Sequence, residues 1–248
     1  MITSVKNETI KQWNKLKIKK HRELQQLFLI EGLHLVQEVL SSDWMVEAIV
    51  LQEGVQVPAG VSIDEITYVT DNVMQHLTDT KAPQGIAAVV QMKELDIIKN
   101  EKLLLLDAIQ DPGNVGTMIR TADAAGFDAV VLGDGTVDLY NDKVIRASQG
   151  SLFHLPIARK NLLAYTKELK GQNVSIWGST LEQASPIQEI AIPEKIALIV
   201  GNEGAGVAHN LLEEADQRVH IPIYGRAESL NVSVATGIML YQIVAAKQ

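Results

Sequence analysis

The sequence predicts an α/β protein with a small N-terminal α/β domain over residues 1–95 and a larger parallel-sheet domain over residues 103–248. Three observations carry that prediction. From Leu103 onward, apolar runs without polar interruption alternate with helical patterns, which is how strands buried on both faces of a parallel sheet read. The first of these runs, Leu103–Ile109, ends in Asp111-Pro112-Gly113-Asn114, where Pro fixes φ and Gly tolerates φ > 0. Glu94 to Lys102 is polar and charged and reads as a linker.

In order along the chain, Ile10 to Leu27 is basic with helical spacing, and Leu16, Leu24 and Leu27 are its candidate core residues. A second helix is predicted over Leu33–Leu40, after Glu31-Gly32. Val46–Leu51, Ile66–Thr70 and Ile86–Met92 read as strands, with Asp71 as cap of a helix through Leu77. Strands follow at Leu103–Ile109, Ala129–Leu132, Val174–Trp177, Ala197–Val200 and Val219–Ile223. Helices are predicted after Asn114 (the expected N-cap), over Asp142–Gln149, Leu162–Leu169 and Ala208–Glu214, and from Val232 to the end. The last carries Ile238, Leu240, Ile243 and Val244 on more than one face, more than one core contact needs, so part of it is expected against a second subunit.

The chain has no cysteine, which excludes disulfides, zinc–thiolate sites and thiol nucleophiles. Its histidines form no i, i+4 pair and no H-E-x-x-H, so no metal is expected. No apolar run reaches the ~20 residues of a membrane span, and the start lacks the apolar core of a signal peptide, so a cytoplasmic protein without membrane contact is expected. The net charge of −8 argues against non-specific coating of nucleic acid, yet it is unevenly spread. Residues 1–30 hold seven basic residues against two acidic ones, a balance of +5 that leaves −13 on the rest. Such a segment, which includes Lys11, Lys19, Lys20 and Arg22, fits either a docking arm for phosphates or a solvated helix face.

Three segments punctuate the second domain, each at the C-terminal end of a predicted strand, where parallel sheets gather their ligand chemistry. They are Asp111–Gly116 with Arg120 behind it, Ile199–Gly206, and Ile221-Pro222-Ile223 followed by Glu228–Ser233. Gly201–Gly206 matches neither the dinucleotide fingerprint nor a phosphate loop, which counts against NAD and ATP. Ser229 lacks the G-x-S-x-G setting of a hydrolase nucleophile, and Ser229 or Asn231 is expected to cap the last helix.

Together the three segments resemble the SpoU (TrmH-like) family of SPOUT RNA methyltransferases: Asn114 with Arg120, then Gly-Asn-Glu-Gly-Ala-Gly at 201–206, then Ile-Pro-Ile and Glu-Ser-Leu-Asn-Val-Ser. Ser4, Asn7, Lys11, the Lys19-Lys20-His21-Arg22 cluster and Glu31-Gly32 resemble the substrate-binding domain of rRNA members, a ribosomal-protein-L30e-like fold. The resemblance implies methyl transfer from S-adenosylmethionine to a ribose 2′-hydroxyl of RNA, with rRNA ahead of tRNA, by a homodimer whose C-terminal domain holds a deep trefoil knot. It implies a cofactor pocket at Thr180, Gly201, Ile221 and Leu230, and polar catalytic positions at Asn114, Arg120, Glu203, Ser229 and Asn231, with Arg120 near the attacking hydroxyl. It assigns RNA docking to the basic segment. A guanidinium holds its proton, so clamping a phosphate suits Arg120 better than acting as base. The alternative is a non-catalytic RNA-binding module of the same fold.

Overall fold

The structure is a computed structural model that describes residues 1–58, 61, 66–78, 80, 82–93 and 95–246. Glu94 of the expected linker and Lys247–Gln248 of the expected last helix lie outside the described residues. The chain forms two compact units, Met1–Lys93 with Asp138–Phe153, and Glu94–Val137 with His154–Gln248.

In the first unit, α1 (Glu8–Lys15) and α2 (Lys19–Gln25) lead into β1 (Leu27–Glu31), α3 (Leu33–Leu40), β2 (Val46–Gln52), β3 (Ile66–Val69), α4 (Asp71–Leu77) and β4 (Ile86–Gln91). The sheet runs β1-β4-β2-β3, with β4 antiparallel to both neighbours and β3 parallel to β2. Asn7 caps α1 by accepting from the backbone N–H of Thr9 and Ile10, and Ile10, Trp13 and Leu16 pack on Val73, Met74 and Leu77 of α4.

The single helix expected over Ile10–Leu27 is therefore two short helices and a strand. Arg22 fixes the break by donating to the carbonyls of Leu16 and Lys17 at the end of α1, and Gln26 ends α2 at φ 54°. Leu24 is 77% exposed rather than a core residue. Asp71 is the first residue of α4, not its cap.

The second unit begins with β5 (Lys102–Asp107), α5 (Pro112–Ala124) and β6 (Ala129–Leu132). The chain then contributes α6 (Asp142–Ser148) and the turn Ser151–Phe153 to the first unit, although the sequence places this helix in the second domain. There Tyr140 packs on Phe28 of β1, ring centroids 4.6 Å apart, and Phe153 meets Trp44 at 5.4 Å. Asp138 receives the Nη2 donor of Arg22 at 2.5 Å.

Back in the second unit follow β7 (Ile157–Arg159), α7 (Leu162–Gly171), β8 (Ser175–Ser179), β9 (Ser185–Pro186), β10 (Ile196–Gly201), α8 (His209–Glu214), β11 (Gln217–His220) and α9 (Val232–Ala245). The sheet order is β7-β6-β5-β10-β8-β11-β9, parallel throughout. Leu103, Leu105, Ala129, Val131, Ala197 and Ile199 face one core together with α7 and α8. The parallel register aligns the C-terminal ends of β5 and β10, Asp107 opposite Gly201. α9 packs along α5, with Thr236 Oγ1 3.3 Å from Met118 Sδ.

Candidate active site

The site is built where β5, β10 and β11 end. After β5, Asp111 accepts from the backbone N–H of Asn114 at 2.9 Å and Pro112 takes the first helical position, so Asp111 is the N-cap of α5. That corrects the expectation that Asn114 caps this helix: Pro112 has already set the helical start, which leaves Asn114 in the first turn with its amide free to bridge. Asn114 Nδ2 donates to Glu203 at 3.0 Å, and its Oδ1 accepts from Asn231 Nδ2 at 3.1 Å. Asn231 in turn caps α9, its Oδ1 accepting from the backbone N–H of Ser233 and Val234.

Glu203 also accepts from the backbone N–H of Gln110 and Asp111 at 3.2 and 3.0 Å. Desolvation pushes its carboxyl up, but the donors on Asn114, Asp111, its own backbone and Gln110 outweigh this and hold it below the usual glutamate range. Glu203, Asn114 and Asn231 thus tie the three strand-end segments into one polar relay.

The glycine segment takes its shape from Asn202. Its Nδ2 donates to the Ala108 carbonyl at 2.9 Å, and its Oδ1 accepts from the N–H groups of Gly204 and Ala205 at 2.9 and 3.0 Å. The chain returns so closely that a Cβ on Gly201 would lie 2.1 Å from the backbone of Gly206 and Val207. Asp107 completes the turn by accepting from the Ala208 N–H at 2.8 Å.

This segment walls a cleft of about 850 Å³ with Thr180, Ile221, Ile223, Leu230 and Met239. That is the size of a small-molecule pocket, and its lining mixes polar and apolar surface. The four residues expected to hold a cofactor, Thr180, Gly201, Ile221 and Leu230, all line it, as do Glu203, Ser229 and Asn231. Arg120 does not: it stands exposed on α5, without a hydrogen-bond or ion-pair partner among the described residues.

The sequence reading quotes Asn202 within its motif but assigns it no role, although its position next to glycine is the signal, and it overlooked Asp107 at the end of β5. It also overlooked His220, a polar residue beside Ile221-Pro222, which lines the cleft and whose buried Nδ1 has no hydrogen-bond partner among the described residues.

Of the basic positions, Lys11 pairs with Glu8 at 2.6 Å and Lys19 with Glu23 at 3.6 Å, both on exposed helix faces. Lys20 is exposed. Arg22 is 6% exposed and its Nη1 and Nη2 groups donate to Leu16, Lys17 and Asp138, so it is a buried strut and not a free phosphate ligand. Among the described residues no group of three or more His, Asp or Glu side chains is arranged to hold a metal.

Residues 101–241 match the SpoU rRNA Methylase family, and residues 7–88 match the MRM3-like substrate binding domain. The chain belongs to the SpoU rRNA methylase family. It is 49% identical to the 23S rRNA (guanosine(2553)-2′-O)-methyltransferase RlmP of Bacillus subtilis over 98% of both chains. An AdoMet-bound rRNA methyltransferase from Sinorhizobium meliloti superposes with a TM-score of 0.89 at 32% identity, covering 98% of this chain and 96% of that one. The SpoU methyltransferase AviRb from Streptomyces viridochromogenes, solved with AdoMet, gives 0.87 at 25% identity over 98% of each chain. This is an α/β SPOUT-type RNA 2′-O-methyltransferase.

Proposed function

We propose that this SpoU protein methylates the ribose 2′-hydroxyl of a guanosine in 23S rRNA, with S-adenosylmethionine as donor, as the name of its Bacillus subtilis relative describes for that protein. The observation that carries the reading is the Glu203–Asn114–Asn231 relay at the rim of a cleft walled by backbone loops.

The cleft fits the cofactor chemically. Gly201 leaves no room for a side chain, so backbone forms that wall, and Ile221, Leu230 and Met239 offer an apolar surface for a nucleoside. When bound, S-adenosylmethionine supplies a methyl group already activated on a sulfonium. The chain's own work is then to position the ribose hydroxyl and take up its proton. Glu203 stays ionised and fixes Asn114, and Asn114 and Asn231 hold the first turns of α5 and α9 at a fixed distance. Arg120, without a partner among the described residues, is assigned to grip the phosphate beside the reacting ribose through its planar fork. Ser229, exposed on the cleft rim, is assigned to the substrate side.

RNA docking is assigned to the first unit through Lys11, Lys19 and Lys20, which agrees with the substrate-binding family matched at residues 7–88. Arg22 leaves that set. A homodimer agrees with α9, which packs on α5 and leaves Val234, Ile238 and Tyr241 52%, 45% and 53% exposed. A cytoplasmic site of action agrees with an rRNA substrate, and no helix among the described residues is long and apolar enough to cross a membrane.

The test is single-turnover methylation of a 23S rRNA fragment, with the product mapped by resistance of the modified linkage to alkaline cleavage. Light scattering on the same preparation should give twice the 27.2 kDa chain mass. S-adenosylmethionine binding without any methyl transfer to rRNA would leave an RNA-binding module in place of the enzyme.

A further inference from the structure

Between two stretches that line the cleft, the chain makes an excursion over Tyr224–Glu228 in which every residue is exposed. Tyr224 is 90% exposed, whereas Tyr140 and Tyr165 are each 8% exposed. An aromatic ring left wholly in water gains nothing for the fold, so a stability role does not explain it. Its place is constrained nonetheless. Ile223 lines the cleft, and the next Cα lies only ~3.8 Å along the chain. The far end is held by Ser229 and Leu230, also at the cleft, and by Asn231, which bonds to Asn114. Tyr224 is thus confined to the edge of the cleft.

Two residues further on, Arg226 is exposed, with neither a hydrogen bond nor an ion pair among the described residues. Glu228 on the same loop is exposed as well and forms no ion pair with it. An unpaired guanidinium two residues from an uncovered ring is the pairing that single-stranded RNA calls for. The ring stacks on an unstacked base, and the planar fork takes a backbone phosphate.

We propose that Tyr224 and Arg226 form a nucleotide-recognition element, Tyr224 stacking on the base of the nucleotide whose ribose enters the cleft and Arg226 pairing with an adjoining phosphate. This rests on the methyltransferase reading and adds to it how the target nucleotide is gripped once it has left its stack. The two act as substrate-recognition residues and leave the cofactor pocket untouched.

The test uses the full-length protein loaded with S-adenosylhomocysteine, a 23S rRNA fragment containing the target guanosine, and the same fragment with that base removed. Tyr224→Ala should weaken binding of the intact fragment about tenfold, as expected for one lost stacked base, and bind the abasic fragment as the parent does. Tyr224→Phe, which keeps the ring, should bind both as the parent does. Arg226→Ala should weaken both fragments alike and lower the log–log salt slope by roughly 0.7–0.9. Affinity for S-adenosylmethionine should be the same in all variants.

A Tyr224→Ala protein that binds the intact fragment like the parent, or loses equally on both fragments, would overturn the proposal. So would dissociation of the oligomer in that variant, which would give the ring to a subunit contact. Methyl transfer by the parent protein is followed in parallel. A parent that transfers nothing counts against the enzyme reading, whereas an active parent with indifferent variants counts against this loop alone.

Discussion

Gly201→Ala offers the sharpest test of how the cleft is built, because one methyl group meets backbone there. The added Cβ would lie 2.1 Å from the Gly206 carbonyl carbon and the Val207 nitrogen, and 2.3 Å from the Gly206 oxygen. Ordinary contact needs ~3.5 Å, so the segment must retreat by roughly 1.4 Å. It has no slack for this. The Gly206 N–H donates to the Asn202 carbonyl at 2.9 Å, and Asn202 ties the same turn to Ala108 at 2.9 Å. Overpacking costs about 1–3 kcal/mol, and one or two distorted hydrogen bonds add about 1 kcal/mol each. A total of about 2–5 kcal/mol corresponds to a fall in Tm of roughly 4–20 °C for a chain of this size.

The same retreat moves the cleft wall, so S-adenosylmethionine affinity should fall at least tenfold. Scanning calorimetry with and without cofactor, together with titration calorimetry, reads both effects. Gly204→Ala is the control on the same loop: the nearest foreign atom to its added methyl would be Asn202 Oδ1, at 3.7 Å, so both quantities should hold. If Gly201→Ala left Tm within about 1 °C and cofactor affinity intact, the close return of the loop would not define the pocket.

Three further substitutions separate roles that the sequence alone runs together. Arg22→Ala should cost about 3 kcal/mol in urea unfolding, since it strips a buried guanidinium from two carbonyls and Asp138; unchanged stability with weaker RNA binding would return it to the docking surface. Arg120→Ala should leave cofactor affinity intact while single-turnover methylation falls at least ~100-fold, with poor rescue by Arg120→Lys; near-normal turnover would make Arg120 a plain surface residue. Glu203→Gln addresses pH. Because the folded carboxyl lies below its ordinary range, its contribution is fully present above the unfolded value of about 4.3 and is lost as pH falls through the folded value. The stability gap between parent and Glu203→Gln should therefore close on acidification below about pH 4.3, and a gap constant with pH would refute the hydrogen-bonded carboxylate.

Most of the candidate site is legible because its residues punctuate apolar runs. Gly201–Gly206 ends the unbroken apolar run of β10, Ile221-Pro222-Ile223 follows β11 with a proline that stops the strand, and the parallel sheet then brings their ends together. Asn231 is readable as a cap because a helical pattern starts right after it. Asn114 misleads for a physical reason: Asp111 with Pro112 is the stronger start signal, and local pattern gives no hint that a first-turn amide is needed for a bond across 89 residues to Glu203. β1 escapes notice since Leu27–Ile30 is apolar at every position, which suits a helix tail as well as a strand. β7 and β9, at three and two residues, are too short to carry a period.

The segment Asp138–Phe153 marks where local reasoning ends. Its helix, Asp142–Ser148, lies within a residue of the expected Asp142–Gln149, but in the other body. Periodicity shows that Val144 and Ile145 need burial; it does not show against what. The partners are aromatic and distant: Phe28 and Trp44 receive Tyr140 and Phe153, using two of the chain's three phenylalanines. The charges follow the same logic. Arg22 counts with the basic arm in the sequence because a charge tally records sign and position in the chain. Asp138, 116 residues away, decides that this guanidinium is a buried strut. Lys19 and Lys20, three and two positions before Arg22, stay exposed on the helix that Arg22 anchors. The basic arm is thus divided by burial, with one cation holding the break between α1 and α2 and its neighbours left to solvent or phosphate.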